Sequence, residues 1–256
     1  MNVLQIDVDP VRRRVLAGLA GLLAPAPAWS QALPEALPQA LQQAAHAGEV
    51  RTIDGIAFMR AVIPPGLIQQ ALRVQQAATL TQPVMEQSQA RPVREFREYL
   101  DRKVAREPDR MRRLEMVNLY VNDRVREVPD DKVYVSSDIW APPINTLLIG
   151  GDCEDLALLK RWGLARVGFD RKDMYLVCGV TWAVVTPSFH AVLGVVFPPS
   201  RGIILDTLSS RLHASKEGAK FEPTYALNED GFWRVESPNL AYRAYWDPIT
   251  KAIQPG

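Results

Sequence analysis

The segment Gly150-Gly151-Asp152-Cys153-Glu154-Asp155 runs directly into a helical pattern of Leu156, Leu159, Lys160, Gly163 and Leu164, and this junction constrains the chain more than any other stretch. Two glycines and an aspartate make a flexible turn, so the apolar repeat places the start of a helix at about Cys153. The cysteine therefore lies in the helix's first turn. Unpaired backbone N–H groups and the positive end of the helix dipole stabilise a thiolate there, and the same amides can bind an oxyanion. Inert packing is the ordinary alternative for an isolated cysteine, which is among the most commonly buried residues.

A thiol is a weak nucleophile until ionised, so it needs a base within hydrogen-bond reach and an acid to fix that base's tautomer. The chain has three histidines. His46 lies in a polar alanine and glutamine tract and His213 in a charged loop, whereas His190 sits inside the apolar run Phe189-His190-Ala191-Val192. Asp206 follows at the end of Ile203-Ile204-Leu205. The order Cys153, His190, Asp206 is that of a thiol enzyme. After the Cys153 helix, β-type runs are expected at about 174–186, 190–197 and 202–206, separated by Pro187-Ser188 and Pro198-Pro199-Ser200. Turns this short imply antiparallel neighbours, which would carry His190 and Asp206 on one sheet facing the Cys153 helix. The alternation leaves the register open.

Asp152, Glu154 and Asp155 surround the thiol with negative charge, which disfavours the thiolate. Two readings of these acids are open: they cap the helix and complement its dipole, or they hold a hard divalent cation such as calcium, which takes carboxylate oxygens in flexible geometry.

These residues carry a family resemblance. Trp140-Ala141-Pro142-Pro143, Gly151-Asp152-Cys153-Glu154-Asp155, His190-Ala191-Val192-Leu193 and Leu205-Asp206 resemble the bacterial transglutaminase-like cysteine proteinases of the LapG type. The likeness runs from about Arg94 to Trp233 and takes in Leu114–Asn118 upstream and Tyr225–Asn228 with Gly231-Phe232-Trp233 downstream. The Gly-Asp-Cys-Glu-Asp core is its most specific part. The resemblance implies an α+β, papain-related fold with the nucleophile on a helix N-terminus packed against an antiparallel sheet. It also implies a periplasmic endopeptidase that binds calcium beside its active site and cuts the N-terminal region of large surface adhesins, so controlling biofilm attachment. Its control would come from an inner-membrane cyclic di-GMP receptor. By resemblance Cys153 is the nucleophile, His190 the base, Asp206 the orienting acid, and Asp152 and Glu154 calcium ligands, with Asp155 a further candidate. Leu156 stands where the family often has an aromatic residue.

The N-terminus independently fits export. Arg12-Arg13-Arg14 precedes the apolar run Val15–Leu23, and Ala28-Trp29-Ser30 supplies small residues around a cleavage point. Adjacent arginines also suit twin-arginine export. The apolar run is shorter than the ~20 residues of a spanning helix, so a cleaved signal peptide over 1–30 is expected rather than an anchor, and no other stretch is long enough to make this an integral membrane protein. Residues 31–92 are expected to form a helical, low-complexity lead segment, with helical runs near 36–45 and 67–78 broken by Pro64-Pro65 and Pro83. The catalytic domain is expected over 93–256.

Composition excludes little else. A net charge of +1 and 47% hydrophobic residues allow a sizeable core and give no electrostatic bias toward nucleic acid, for which no motif is present. The basic run 106–113 contains Glu107 and Asp109 and borders a stripe of Leu114, Val117, Val121 and Val125, the pattern of a helix with a solvated charged face. Cys178 lies in a β-rich run as a small hydrophobe, so both cysteines are expected free. Two other functions use the same residues. A transglutaminase or amidase would pass the acyl group to a different acceptor, and a non-catalytic, calcium- or receptor-responsive binding module would keep the fold without turnover.

Overall fold

The computed structural model describes residues 49–53, 56–79, 81–134, 139–181, 188–197, 201–208 and 221–235. The expected signal peptide, the helical run near 36–45, His46 and His213 lie outside them. Within the described residues, β1 (Val50–Ile53) and β2 (Ile56–Ala61) precede α1 (Ile68–Thr79), α2 (Thr81–Gln87), α3 (Arg91–Tyr99), α4 (Arg110–Arg124), α5 (Pro143–Ile149) and α6 (Cys153–Arg166). Then come β3 (Met174–Thr181), β4 (Ser188–Phe197), β5 (Arg201–Leu205), β6 (Phe221–Asn228) and β7 (Gly231–Val235). Helices thus precede most of the sheet, as expected of an α+β chain.

All seven strands join one antiparallel sheet in the order β1-β2-β7-β6-β3-β4-β5. The sheet curls. Ile53 of the edge strand β1 shares a buried cluster with Val177 of β3, Val192 of β4, Ile204 of β5 and Trp233 of β7. On the opposite layer, α6 packs against β4 on one side and against α4 and α5 on the other. That central placement explains why Leu156 through Leu164 are all buried. Buried nearly all round, with Glu154, Asp155, Lys160 and Arg161 among its buried residues, this is a core helix that holds whatever stands at its N-terminus rigidly. The stripe on α4 behaves as its spacing predicts: Leu114, Val117 and Val121 are buried, and Asp109 caps the helix by accepting from the Met111 N–H at 2.8 Å.

The expected lead segment needs a correction. The helical run expected near 67–78 is present as α1 (Ile68–Thr79), but β1 and β2 form a hairpin that pairs with β7 through Phe58↔Val235 and Ala61↔Phe232. A boundary at 92 therefore cuts through one sheet, and all described residues fall in a single unit from Pro38 onward. These strands are short and mixed in polarity. Their strand state comes from pairing with β7 and inserting Ile53 and Phe58 into the core, which no local alternation announces.

Candidate active site

The turn before Cys153 is built by close backbone approach. Gly150 has φ +93, and a side chain there would meet the Arg126 carbonyl at 2.5 Å. The Gly151 N–H donates to Arg126 O at 3.2 Å and Val128 N–H to Gly151 O at 2.9 Å, which pins the segment after α4 to the start of α6. A methyl on Gly151 would lie 2.5 Å from the Asp155 Cβ. Glycine is required at both positions, at the first by φ and at the second by space.

Cys153 opens α6 beside β4, and the Ala191 N–H donates to its Sγ at 3.4 Å. On β4, His190 stands opposite Gly179, and Leu193↔Leu205 sets the register with β5. That register carries Asp206, one residue past β5, to the His190 ring: Nε2 lies 2.7 Å from Asp206 Oδ1, with both side chains nearly buried. The Leu208 N–H donates to the same oxygen at 3.0 Å, and Phe221 meets the imidazole edge-on with centroids 5.5 Å apart. Burial works against ionising Asp206, yet the His190 hydrogen bond and charge, the Leu208 N–H and Lys160 hold its carboxyl below the usual carboxylate range. With Nε2 engaged, Nδ1 is the ring nitrogen left for proton transfer.

The acids around the thiol separate into two roles. Asp152 is the N-cap residue of α6 by position, but its side chain makes no capping hydrogen bond. Instead Asp152, Glu154 and Asp130 bring carboxylate oxygens within 4.8 Å of one another. Asp130 arrives from the turn Asp130–Lys132 beyond α4, and its Oδ2 accepts from the Ile139 N–H. Burial first, and then the Glu154 charge, push Asp152 up to about 8; burial pushes Glu154 up to about 7. Among the described residues Asp152 Oδ1 is buried without a hydrogen-bond partner. Three clustered carboxylates, Asp130 and Glu154 buried and Asp152 half-buried with that one oxygen out of contact with water, fit a hard, oxygen-seeking cation, which would supply the missing positive charge. They do not fit a helix cap.

Asp155, the further candidate ligand, does not join this group. It lies one position further along α6, fully buried, and its Oδ1 accepts from the Ala141 N–H at 2.6 Å. It ties the Trp140-Ala141 segment to the helix. Burial pushes its carboxyl up to about 8, so at neutral pH it is largely an uncharged hydrogen-bond partner.

Glu154 also touches Cys153. The Cys153 thiol donates to Glu154 Oε2 at 3.0 Å, and the thiol is pushed well above its ordinary range by burial and then by the Glu154 charge. The structure thus brings Cys153 to the β4 backbone beside His190, joins His190 to Asp206, and gathers Asp152 and Glu154. Neither Cys153 nor Cys178 is in a disulfide, and Cys178 is buried opposite Ala191. Asp130 escaped sequence reading because the only signal was an acidic pair, Asp130-Asp131, more than twenty residues upstream of the cysteine.

The model of the bacterial transglutaminase-like cysteine proteinase family matches residues 88–233. Among curated proteins nothing matches. Among solved structures, calcium-bound LapG of Legionella pneumophila is 24% identical, with 71% of this chain and 99% of that chain covered at a TM-score of 0.50. A second Legionella pneumophila LapG structure is also 24% identical, over 71% of this chain and 96% of that one, at a TM-score of 0.49. The first of these shares the fold of helices and curled antiparallel sheet described above. Because the family match spans more than half of the sequence and contains the cysteine turn, His190 and Asp206, the chain belongs to the bacterial transglutaminase-like cysteine proteinases.

Proposed function

We propose that the protein is a calcium-dependent periplasmic endopeptidase whose nucleophile, base and orienting acid are Cys153, His190 and Asp206. The observation that carries this reading is the 2.7 Å pair between His190, on the strand β4 packed against the helix that Cys153 opens, and Asp206, one residue past β5. Asp206 fixes the tautomer with hydrogen on Nε2, leaving Nδ1 to take the thiol proton. The thiolate attacks the scissile carbonyl, and the N-terminal amides of α6 face the developing oxyanion. The imidazolium then protonates the leaving amine, and water activated by the same imidazole releases the acyl group from Cys153.

Asp130, Asp152 and Glu154 hold the calcium. Their all-oxygen donor set and the description of the similar Legionella LapG as calcium-bound support that ion over a softer metal. Bound there, calcium supplies positive charge beside the nucleophile turn and offsets the repulsion that disfavours the thiolate. The substrate is the N-terminal region of a large surface adhesin, whose removal releases the cell from a biofilm, under control of an inner-membrane cyclic di-GMP receptor. The family resemblance supports these, and the arginine-led apolar run at 12–23 supports export.

The test incubates the mature protein with N-terminal fragments of large surface proteins from its own organism, with calcium and with chelator, and maps cuts by mass spectrometry. A discrete cut, lost in chelator and lost in Cys153→Ala and His190→Ala, is expected. Asp206→Asn should be severe yet leave residual turnover, because it disturbs orientation rather than removing a reacting group. Turnover by folded Cys153→Ala protein refutes the assignment, and acyl transfer to an added amine in place of hydrolysis would make the protein a transferase.

A further inference from the structure

Lys160 lies seven residues after Cys153 on α6 and is fully buried. Seven residues are almost two full turns, so both side chains leave the same face of one rigid helix, ~10 Å apart along its axis. The Lys160 ammonium donates to the backbone carbonyl of Asp206 at 3.0 Å, and the Asn122 side-chain amide from α4 donates to the same oxygen at 2.9 Å. Asp206 is past the end of β5, where ladder hydrogen bonding has stopped, so two side chains supply what a neighbouring strand would otherwise give its carbonyl.

We propose that Lys160 is a positioning residue of the catalytic pair, fixing the backbone of Asp206 so that its carboxylate meets His190. This rests on Cys153, His190 and Asp206 acting as one unit. Burying an ammonium costs several kcal/mol, and a methionine of similar shape would fill the same space more cheaply. Packing alone therefore does not account for a lysine. Its one hydrogen-bond acceptor among the described residues belongs to the residue that orients the base. The charged groups that face it are Asp206 itself and, from the segment after α4, Glu127. Burial pulls its ammonium down to about 7, yet a neutral amine still donates to a carbonyl, so the contact survives across neutral pH. One helix thereby sets both the nucleophile and the far end of the relay.

The experiment measures iodoacetamide alkylation of Cys153 in the full chain from pH 5 to 9 with calcium present, with label located by mass spectrometry. The proteins are wild type, His190→Ala, Asp206→Asn, Lys160→Met, and Lys160→Met combined with Asp206→Asn. Lys160→Met should slow alkylation at pH 6 by about tenfold or more, the scale of a misplaced catalytic group. Its pH profile should move upward toward that of Asp206→Asn. It should add nothing in the Asp206→Asn background, and its Tm should be unchanged or higher. A wild-type rate and profile in Lys160→Met, while His190→Ala is slow, overturns the role of Lys160 and leaves the triad standing. Equal slowing in both backgrounds also overturns it, because Lys160 would then act independently of Asp206. A wild-type rate in His190→Ala overturns the triad reading and this proposal with it. If Lys160→Met does not fold, Lys160→Arg serves under the same criteria, since its planar fork cannot keep the same single-donor line to the carbonyl.

Discussion

Three acids crowd the first turn of α6, yet their hydrogen bonding predicts opposite effects on stability. Asp155→Ala removes the acceptor of the buried Ala141 N–H, now paired at 2.6 Å. An orphaned buried donor costs about 1–3 kcal/mol. For a chain of this size that lowers Tm by roughly 2–12 °C. Little charge relief offsets the loss, because the Asp155 carboxyl is pushed up to about 8 and is mostly protonated at pH 7. Asp152→Ala and Glu154→Ala instead remove one member of the cluster with Asp130, relieving burial and repulsion. They should raise the Tm of chelator-stripped protein. Calcium reverses the order. At a hundred times its Kd it stabilises the wild type by about 2.7 kcal/mol, or ~5–11 °C. Asp155→Ala should keep that increment, whereas Asp152→Ala and Glu154→Ala should lose most of it. Differential scanning calorimetry of stripped protein over a calcium titration, with isothermal titration calorimetry for affinity, reads both effects. The reasoning is wrong if Asp155→Ala loses the calcium increment as fully as Asp152→Ala, or if Asp152→Ala destabilises stripped protein while retaining calcium affinity.

Further outcomes follow from the same geometry. In chelator, stability should fall as pH rises from 5 to 7: Asp152, Glu154 and Asp155 titrate near 8, 7 and 8 when folded but near 4 when unfolded, so the folded state binds more protons and loses that advantage toward the folded values. Calcium, which holds Asp152 and Glu154 ionised, should flatten that slope in a thermal melt series. Gly151→Ala forces a methyl against the Asp155 side chain and should cost about 1–3 kcal/mol; in a melt its effect should be less than additive with Asp155→Ala, and full additivity would place the clash elsewhere. Mature periplasmic protein should begin at Gln31, with N-terminal sequencing as the check; an intact Met1 or a membrane-bound product would remove the export reading.

Much of the site was legible because its signals are local. Two glycines before an apolar period of three and four place Cys153 at a helix start, and an apolar run around His190 places that residue on a strand. The proposal of export rests on a local pattern too, a charge cluster beside a short apolar run. What decided the rest is register and distance in three dimensions. His190 meets Asp206 only because β4 and β5 pair as Leu193↔Leu205, and alternation cannot fix a register. Asp130 joins Asp152 and Glu154 only because the Gly150–Gly151 turn lets the Arg126–Val128 backbone close on it. Asp155 adjoins Glu154 in the chain, yet one step along a helix turns a side chain by about 100°, and that rotation carries it to the Ala141 amide. The β1–β2 hairpin was hidden because short strands of mixed polarity draw their stability from the β7 edge they pair with. Local pattern is enough to say which residues can do chemistry and on which kind of element most of them sit. Which of them touch was decided by the tertiary structure, because such contacts depend on strand register and helix rotation, and residues far apart in the chain carry no local record of either.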